Sequence, residues 1–303
     1  MTQIRCLPDD LTVTATPGTT LLEALVARDI PIARACGGNA RCSTCRVRVE
    51  AGVGAFAPPE AEERAMAERL GFGPDLRLAC RARPTGDATV RRLVLDEEDE
   101  RVTSQISAEP YDGAVGHERP VAILFADVNG FTAMSETLPA YDVIHLLNRW
   151  FHRAGGAVAA EGGRVDNFMG DGLLALFGAD GAPDPAMRGV RAGLALLTEA
   201  DRMAEYLARG FNREFGIRVG LHHGPVVVGK LGACGRGRET AIGDAVNRAS
   251  RIQDANKEAG TRFLISESAF GNVRDRVRVG KRFPLRLRGA TGVHELYEII
   301  GTT

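Results

Sequence analysis

Three cysteines near the N-terminus and a fourth further along the chain have the types and spacing of a metal-cluster site. They are Cys36, Cys42, Cys45 and Cys80, which give C-x5-C-x2-C and one distant thiol. Glycine and other small residues between them let the backbone wrap closely around an inorganic core. Four thiolates are the ligand set of a 2Fe-2S cluster. A structural zinc site is the alternative, but zinc ribbons usually use two C-x2-C pairs and this chain has one.

Two aspartates in the second half of the chain are placed as metal-binding carboxylates would be. Asp127 follows an apolar run at 121–125, and Asp171 lies between glycines that suit a tight hairpin. Two carboxylates at adjacent strand tips can hold two divalent ions about 3.5 to 4 Å apart, which activate an attacking oxygen and stabilise a leaving pyrophosphate. Each aspartate alone could instead be a helix cap or a turn residue.

A third segment, at 239–251, also indicates phosphate chemistry. It places Asn247 and Arg251 one helical turn apart, so that both side chains point the same way. An amide and a guanidinium that converge on one spot suit the charge that develops on a phosphate. Together, the two aspartates and this segment predict phosphoryl transfer.

The elements that must position these residues fall into two groups, joined by a polar linker with an acidic cluster, predicted at 96–117. Residues 1–95 predict a small α+β domain, with strands at 4–6, 11–15 and 45–50 and a helix at 20–28. Residues 118–303 predict one α/β sandwich. Its strands are expected at 121–125, around 170, and at 216–222, 263–266 and 296–300, and its helices at 139–160, 184–209 and 244–256.

Composition and charge exclude several classes of function. The 303 residues carry a formal net charge of -1 and are 44% hydrophobic, which gives no basic footprint for nucleic acid. Apolar runs fall far short of the about 20 residues that cross a bilayer, and the N-terminus lacks the order of a signal peptide. We therefore expect a cytoplasmic protein with no nucleic-acid or membrane partner. Cys6 and Cys234 are expected to be ordinary thiols.

The cysteine segments at 35–45 and 77–81 resemble the 2Fe-2S ferredoxin family, and the five-residue first gap is similar to its adrenodoxin-like branch. The resemblance implies a β-grasp, ferredoxin-like domain over 1–95 in which the four cysteines hold the cluster. A redox partner is then expected. The acidic cluster at 96–100 is either a solvated linker or a docking patch for a basic redox partner.

The segments around Asp127, Asp171 and 239–251 resemble the class III adenylyl and guanylyl cyclase family in order and spacing, across 118–300. The resemblance implies a ferredoxin-like-sandwich, palm-type domain. In it, Asp127 and Asp171 hold two Mg²⁺ or Mn²⁺ ions with help from the backbone carbonyl of Val128. Asn247 would orient the ribose and Arg251 would stabilise the transition-state phosphates. The implied reaction converts a nucleoside triphosphate into a cyclic monophosphate and pyrophosphate.

Two positions of this resemblance bear on the base. Thr240 occupies the second base-reading position and is usual for bacterial-type adenylyl cyclases. Asn167 stands where many adenylyl cyclases have lysine, and an amide both donates and accepts. Guanylyl cyclases typically have Glu and Cys at these two positions, so ATP is favoured and GTP is the alternative. The basic residue that binds phosphate near the family's C-terminus is expected at Arg286 or Arg288, with Lys281 ranked behind them.

The resemblance also implies a head-to-tail homodimer, with the metal-binding aspartates from one subunit and the base-reading and Asn/Arg residues from the other. The fusion order suggests that the redox state of the cluster regulates cyclisation. A competing hypothesis, which Asn167 keeps open, is an electron-transfer ferredoxin with a non-catalytic, nucleotide-sensing or dimerising C-terminal domain. A diguanylate cyclase would require a Gly-Gly-(Asp/Glu)-Glu-Phe turn, which is absent. His222 and His223 are expected to pack in the core.

Overall fold

The computed structural model describes residues 1–93, 116–231, 238–289 and 291–303. The chain divides into two compact units, an N-terminal unit of Met1–His117 with Gly229–Glu239 and a C-terminal unit of Glu118–Val228 with Thr240–Thr303. Most of the predicted linker at 96–117, its acidic cluster and Cys234 lie outside the described residues. The domain boundary therefore stays a prediction.

The N-terminal unit is a β-grasp domain. Its elements are β1 (Thr2–Leu7), β2 (Leu11–Ala15), α1 (Leu21–Val26), β3 (Arg46–Ala51), α2 (Ala61–Leu70), β4 (Leu76–Leu78) and β5 (Ala88–Arg92). Within the described residues the five strands form one mixed sheet in the order β2-β1-β5-β3-β4, in which β1 and β5 are parallel. The α+β prediction for this part of the chain is confirmed.

Local sequence explains how the N-terminal unit is shaped. Thr20 caps α1 in a capping box with Glu23, which is a strong helix start. Glu63 of α2 is buried, where it forms a two-pronged ion pair with Arg77 of β4 and also accepts from the backbone amide of Leu78. This pair fixes α2 against the strand that leads to Cys80.

The C-terminal unit alternates strands and helices. Its elements are β6 (His117–Val128), α3 (Phe131–Thr137), α4 (Ala140–Ala160), β7 (Arg164–Met169), β8 (Gly172–Phe177), α5 (Pro185–Phe211), β9 (Ile217–Leu231), β10 (Arg238–Ile242), α6 (Asp244–Ala259), β11 (Phe263–Ser266), α7 (Glu267–Val273), β12 (Val277–Leu285) and β13 (His294–Thr302). In the described part of the chain the strands run β12-β13-β11-β9-β6-β8-β7, and β10 pairs with β9.

The sheet of the C-terminal unit is covered on both faces. Alternate residues of β6, such as Ala122 and Leu124, join the core formed with α4 and α5. The intervening Val121 and Ile123 pack with the inner face of α6 on the other side. Two buried faces explain why β6 reads as an apolar run and why an α/β sandwich was predictable.

Several elements depart from the predictions in length or existence. The strand expected at 216–222 continues to Leu231 as β9, whose second half pairs with β10. The structure also contains elements that the sequence analysis did not predict, namely α2, β4, β5, β10, α7 and β12. The other predicted helices and strands are present with ends shifted by a few residues.

Candidate active site and cluster site

Asp127 and Asp171 meet at one edge of the sheet of the C-terminal unit. Asp127 is the second-last residue of β6, and Asp171 occupies the turn between β7 and β8. Antiparallel pairing of β6 with β8, in which Ala126 faces Leu173, brings this turn to the end of β6. The two carboxyl groups lie within hydrogen-bonding reach of each other. The predicted carboxylate pair is therefore assembled within one chain.

Glycine leaves room for this pair. Gly170 has φ 63°, in the left-handed region that favours glycine, so the turn can be tight. A Cβ at position 172 would lie 3.0 Å from Asp127 Oδ1 and 3.3 Å from the carbonyl oxygen of Ala126. The glycines on both sides of Asp171 therefore have separate structural reasons.

The electrostatics of the pair favour a cation. Burial and the nearby charges of Asp171 and Asp254 raise the pKa of Asp127 to about 6, and Arg218 offsets part of this effect. Carboxylate oxygens in a half-buried, negatively charged site are the donors that Mg²⁺ and Mn²⁺ prefer. The donor set therefore fits divalent ions, although within the described residues no group of three or more His, Cys, Asp or Glu side chains could hold a metal.

Val128 and Asn129 complete this end of β6. The Val128 side chain is 5% exposed and packs in the core, so only its backbone could reach a ligand. The backbone amide of Asn129 donates to the carbonyl oxygen of Gly216 at 2.8 Å. This bond ties the end of β6 to the residue before β9 and holds Asp127 in place.

Asn167 and Thr240, the two base-reading candidates, lie on β7 and β10. Asp166 of β7 connects these two strands. Thr240 is on β10 and its hydroxyl donates to Asp166 Oδ2 at 2.6 Å. Asp166 precedes Asn167 on β7, at a register shift between Val165 and Asn167 in the pairing with β8. The structure thus brings Thr240 into contact with Asp166, the residue that precedes Asn167 on β7.

Asn247 and Arg251 form a third group on α6. The residues of α6 that pack inward are Ala245, Ala249, Ile252, Gln253 and Asn256. Asn247 is exposed and Arg251 half-buried, one turn apart. Among the described residues, no hydrogen bond or ion pair joins either of them to Asp127 or Asp171.

Of the three basic candidates near the C-terminus, two lie in a segment that passes close to Arg251. A Cβ at position 289 would lie 3.5 Å from the Arg251 guanidinium, so the segment that follows β12 runs close to it. Arg286 and Arg288 are exposed on either side of buried Leu287 in this segment. Lys281 lies within β12, where its backbone amide donates to Glu298.

Arg218, Asp254 and Asp166 were missed by the sequence analysis. Arg218 lies between buried Ile217 and Val219 at the start of β9, where a polar residue is ordinary strand alternation and gives no signal of function. Asp254 is an ordinary exposed helix residue by sequence. Asp166 gave no signal, since its burial depends on the strand irregularity.

The cysteines of the N-terminal unit are arranged as two pairs. Cys45 Sγ lies 3.5 Å from Cys80 Sγ, and the Cys42 thiol is hydrogen-bonded to Cys36. A 2Fe-2S cluster binds two ligands on each iron, so two pairs of thiols fit it. None of the five described cysteines is in a disulfide.

Backbone amides around these thiols favour thiolates. Burial opposes ionisation of Cys36, but backbone hydrogen bonds, the first from Arg41, outweigh it and lower its pKa. The hydrogen bond from Cys45 lowers the pKa of Cys80 to about 7, and the same contact together with burial raises the pKa of Cys45. Cys6, by contrast, is fully buried, and burial raises its pKa to about 11, as expected for an ordinary thiol.

His222 is in the core, as expected. It is 7% exposed and its Nδ1 lies 2.8 Å from the hydroxyl of Ser266. Burial, followed by the charge of Arg248, lowers its pKa to about 4. His223 is less buried, and burial lowers its pKa as well.

In the described part of the chain, the helices are too short or too polar to cross a membrane.

Both sites have counterparts in known families. Residues 115–300 match the adenylate and guanylate cyclase catalytic domain, and residues 4–85 match the 2Fe-2S iron-sulfur cluster binding domain. The first match covers more than half of the chain. The protein therefore belongs to the class III adenylate and guanylate cyclase family, with a 2Fe-2S ferredoxin domain at its N-terminus.

Two curated relatives that match this chain are adenylate cyclases. Adenylate cyclase 1 of Rhizobium meliloti is 30% identical over 203 residues, which are 67% of this chain and 30% of the relative. Adenylate cyclase of Anabaena cylindrica is 35% identical over 159 residues, 51% of this chain and 31% of the relative. The chain thus spans about a third of these relatives.

Solved structures show the same fold. The guanylyl cyclase Cya2 is 29% identical with a TM-score of 0.57, over 62% of this chain and 95% of that chain. The adenylyl cyclase CyaB from P. aeruginosa is 26% identical with a TM-score of 0.57, over 61% and 96%.

Proposed function

We propose that this protein is an adenylate cyclase, which converts ATP into cyclic AMP and pyrophosphate. The observation that carries the proposal is the convergence of Asp127 and Asp171 in a half-buried site whose shape depends on glycine. Such a site costs stability without a cation, because burial and mutual repulsion raise the pKa of Asp127 to about 6. A passive dimerisation module would gain nothing from a carboxylate pair that lowers its stability.

Two bound Mg²⁺ or Mn²⁺ ions would supply activation of the attacking oxygen and neutralisation of the leaving pyrophosphate. Asp127, Asp171 and the backbone carbonyl of Val128 would hold the ions, and Arg218 supplies positive charge near Asp127. Asn247 orients the ribose so that its 3′-oxygen faces the α-phosphorus. Arg251, with Arg286 or Arg288 from the adjacent segment, stabilises charge on the phosphates.

In this reaction the 3′-oxygen forms a bond to the α-phosphorus, and the bond from that phosphorus to the bridging oxygen of the β-phosphate breaks. The 3′-hydroxyl loses its proton to solvent and pyrophosphate leaves with the electron pair. No electron is exchanged. The residues of this chain therefore act by position and charge alone.

We further propose that the site is completed in a head-to-tail homodimer. Within one chain, no hydrogen bond or ion pair of the described residues joins the carboxylate pair to the Asn247/Arg251 pair, although the reaction needs both at one triphosphate. In this two-fold symmetric dimer the carboxylates of one subunit would lie opposite α6 of its partner, and two sites would form.

The four cysteines are proposed to hold a 2Fe-2S cluster whose redox state regulates cyclisation. The two pairs of thiols and the amides aimed at Cys36 support cluster binding. Cyclisation rates of oxidised and dithionite-reduced protein, compared anaerobically at equal cluster content, test the regulation. Equal rates would contradict it and would leave the cluster with a structural role.

Two alternatives each have one observation in their favour. Likeness to the guanylyl cyclase Cya2 favours GTP as substrate. Asn167, in place of the usual lysine, favours an electron-transfer ferredoxin with a non-catalytic cyclase-like domain. Turnover of ATP and GTP by the wild type and by Asp127→Ala distinguishes them, with the surface variant Asp201→Asn as control. We expect cyclic AMP from the wild type and the control only.

A further inference from the structure

Asp166 lies at an irregularity of β7 that places its side chain in an unusual position. Val165 pairs with Ala175 and Asn167 pairs with Leu174, so Asp166 is the extra residue of a β-bulge. A bulge redirects a side chain. The Asp166 side chain is 1% exposed, and Arg164 lies 3.5 Å from its Oδ1. A carboxylate is thus buried directly beside a candidate base-reading residue.

The partner of this carboxylate is the hydroxyl of Thr240. The hydroxyl donates to Asp166 Oδ2 at 2.6 Å, the short distance of a charge-assisted hydrogen bond. A threonine hydroxyl has one proton to donate and two lone pairs. Because an ionised carboxylate only accepts, the proton of Thr240 is committed to Asp166. Half-buried Thr240 then presents only lone pairs to a ligand.

An oxygen that can only accept discriminates between the purines. Adenine carries an amino group at position 6, which donates, whereas guanine carries an oxygen there, which accepts. Thr240 would bond the first and repel the second. Asn167 can turn its amide to suit either base at position 1, since an amide has both donors and an acceptor. The discrimination would therefore fall to Thr240.

We propose that Asp166 is a positioning residue that makes the protein select a 6-aminopurine nucleotide, by fixing the Thr240 hydroxyl as an acceptor. The inference rests on the proposed function, in that Thr240 reads the base. It assigns the choice of ATP over GTP to a buried residue that does not itself touch the nucleotide.

Asp166→Asn reverses the hydrogen bond with little change of shape. Arg164 beside Oδ1 favours the amide oxygen at that position, which leaves the amide nitrogen facing Thr240. The nitrogen then donates to the Thr240 oxygen, and the hydroxyl proton turns towards the ligand. A donor at this point suits the 6-oxygen of guanine and of hypoxanthine, so the preference should shift away from ATP.

The test measures dissociation constants of 3′-deoxy-ATP, 3′-deoxy-GTP and 3′-deoxy-ITP, which lack the attacking oxygen, together with kcat and KM for ATP, GTP and ITP. Thr240→Ser keeps the hydroxyl and should keep the wild-type preference. Thr240→Val should lose it, and the surface variant Asp201→Asn should match the wild type. For Asp166→Asn we expect the preference for ATP over ITP to fall at least roughly tenfold. This change should appear in KM and in the dissociation constants.

The hypoxanthine nucleotide makes the result specific to position 6, because it lacks the 2-amino group of guanine. An unchanged ratio of ATP to ITP in folded Asp166→Asn would overturn the proposal, as would an equal loss of affinity for all three nucleotides. If the wild type bound 3′-deoxy-ATP selectively but formed no cyclic product, the proposed function would fail while Asp166 kept its role.

Discussion

Asp127, at the end of β6, and Asp171, in the turn between β7 and β8, place two carboxyl groups within hydrogen-bonding reach of each other. Strand pairing imposes this proximity, and burial makes it costly. The residues proposed to hold the metal ions should therefore destabilise the metal-free protein, a common property of functional sites.

Asp171→Asn should raise the stability of the metal-free protein while it abolishes cyclisation. The variant removes the repulsion between the carboxylates, a gain of up to about 1 kcal/mol after screening by solvent. Added Mn²⁺ should raise the melting temperature of the wild type and have much less effect on the variant. Thermal unfolding with and without Mn²⁺ measures both effects, and an equal response to Mn²⁺ would contradict the assignment of Asp171 as a ligand.

Mixing two inactive variants should restore activity if the site is shared between subunits. Asp127→Ala and Arg251→Ala damage opposite halves of the proposed site, so a mixed dimer keeps one intact site of two. Random assortment makes half of the dimers mixed, which predicts about a quarter of the wild-type rate.

The matched control for this mixing is Asp127→Ala with Asp171→Asn, which damage the same half. No mixed dimer of that pair has an intact site, so no activity should return. Activity from both mixtures, or from neither, would contradict the head-to-tail arrangement.

His222 should make the C-terminal unit sensitive to acid. In the folded protein burial lowers its pKa to about 4, whereas the unfolded chain takes up this proton near pH 6.5. Between these values the unfolded state binds more protons, so stability falls as the pH decreases, by up to about 3 kcal/mol. Urea unfolding of the wild type and of His222→Asn at pH 7.5, 6 and 4.5 should show a smaller decrease in the variant. Parallel curves would contradict this assignment.

Cysteine substitutions should separate cluster ligands from ordinary thiols. Cys80→Ser removes one member of the Cys45/Cys80 pair and should abolish the visible absorption of the cluster and lower the bound iron. Cys6→Ser changes a fully buried thiol that is outside the pairs, and should keep two irons per chain. Iron content and the spectrum of anaerobically purified protein measure this, and loss of the cluster from Cys6→Ser alone would refute the ligand set.

Much of the fold was predictable because its patterns are local. The long helices α4 and α5 and the strands β6 and β11 bury apolar residues at regular intervals, which sequence periodicity detects. The helix α2 was missed because one of its two buried residues is Glu63, a charged residue whose ion-pair partner Arg77 lies on the following strand, β4. A hydrophobic pattern does not reveal an ion pair between two elements.

The part of the site whose chemistry follows from residue types and their spacing was predictable. Asp127 and Asp171 follow from strand ends and glycines, but Asp166 required knowledge of a bulge, which arises from pairing of β7 with β8. The strand β12 was missed because it contains Gly280 and Pro284, residues that are typical of loops. In the structure it pairs with β13 through register shifts.

The most direct test of the account is product analysis with anaerobically purified, cluster-loaded, dimeric protein. It would be incubated with Mn²⁺ and either ATP or GTP, and cyclic AMP, cyclic GMP and pyrophosphate would be quantified. The account predicts cyclic AMP with one pyrophosphate for each molecule formed, and far less cyclic GMP. Absence of a cyclic product from both nucleotides would contradict it and would favour the electron-transfer alternative.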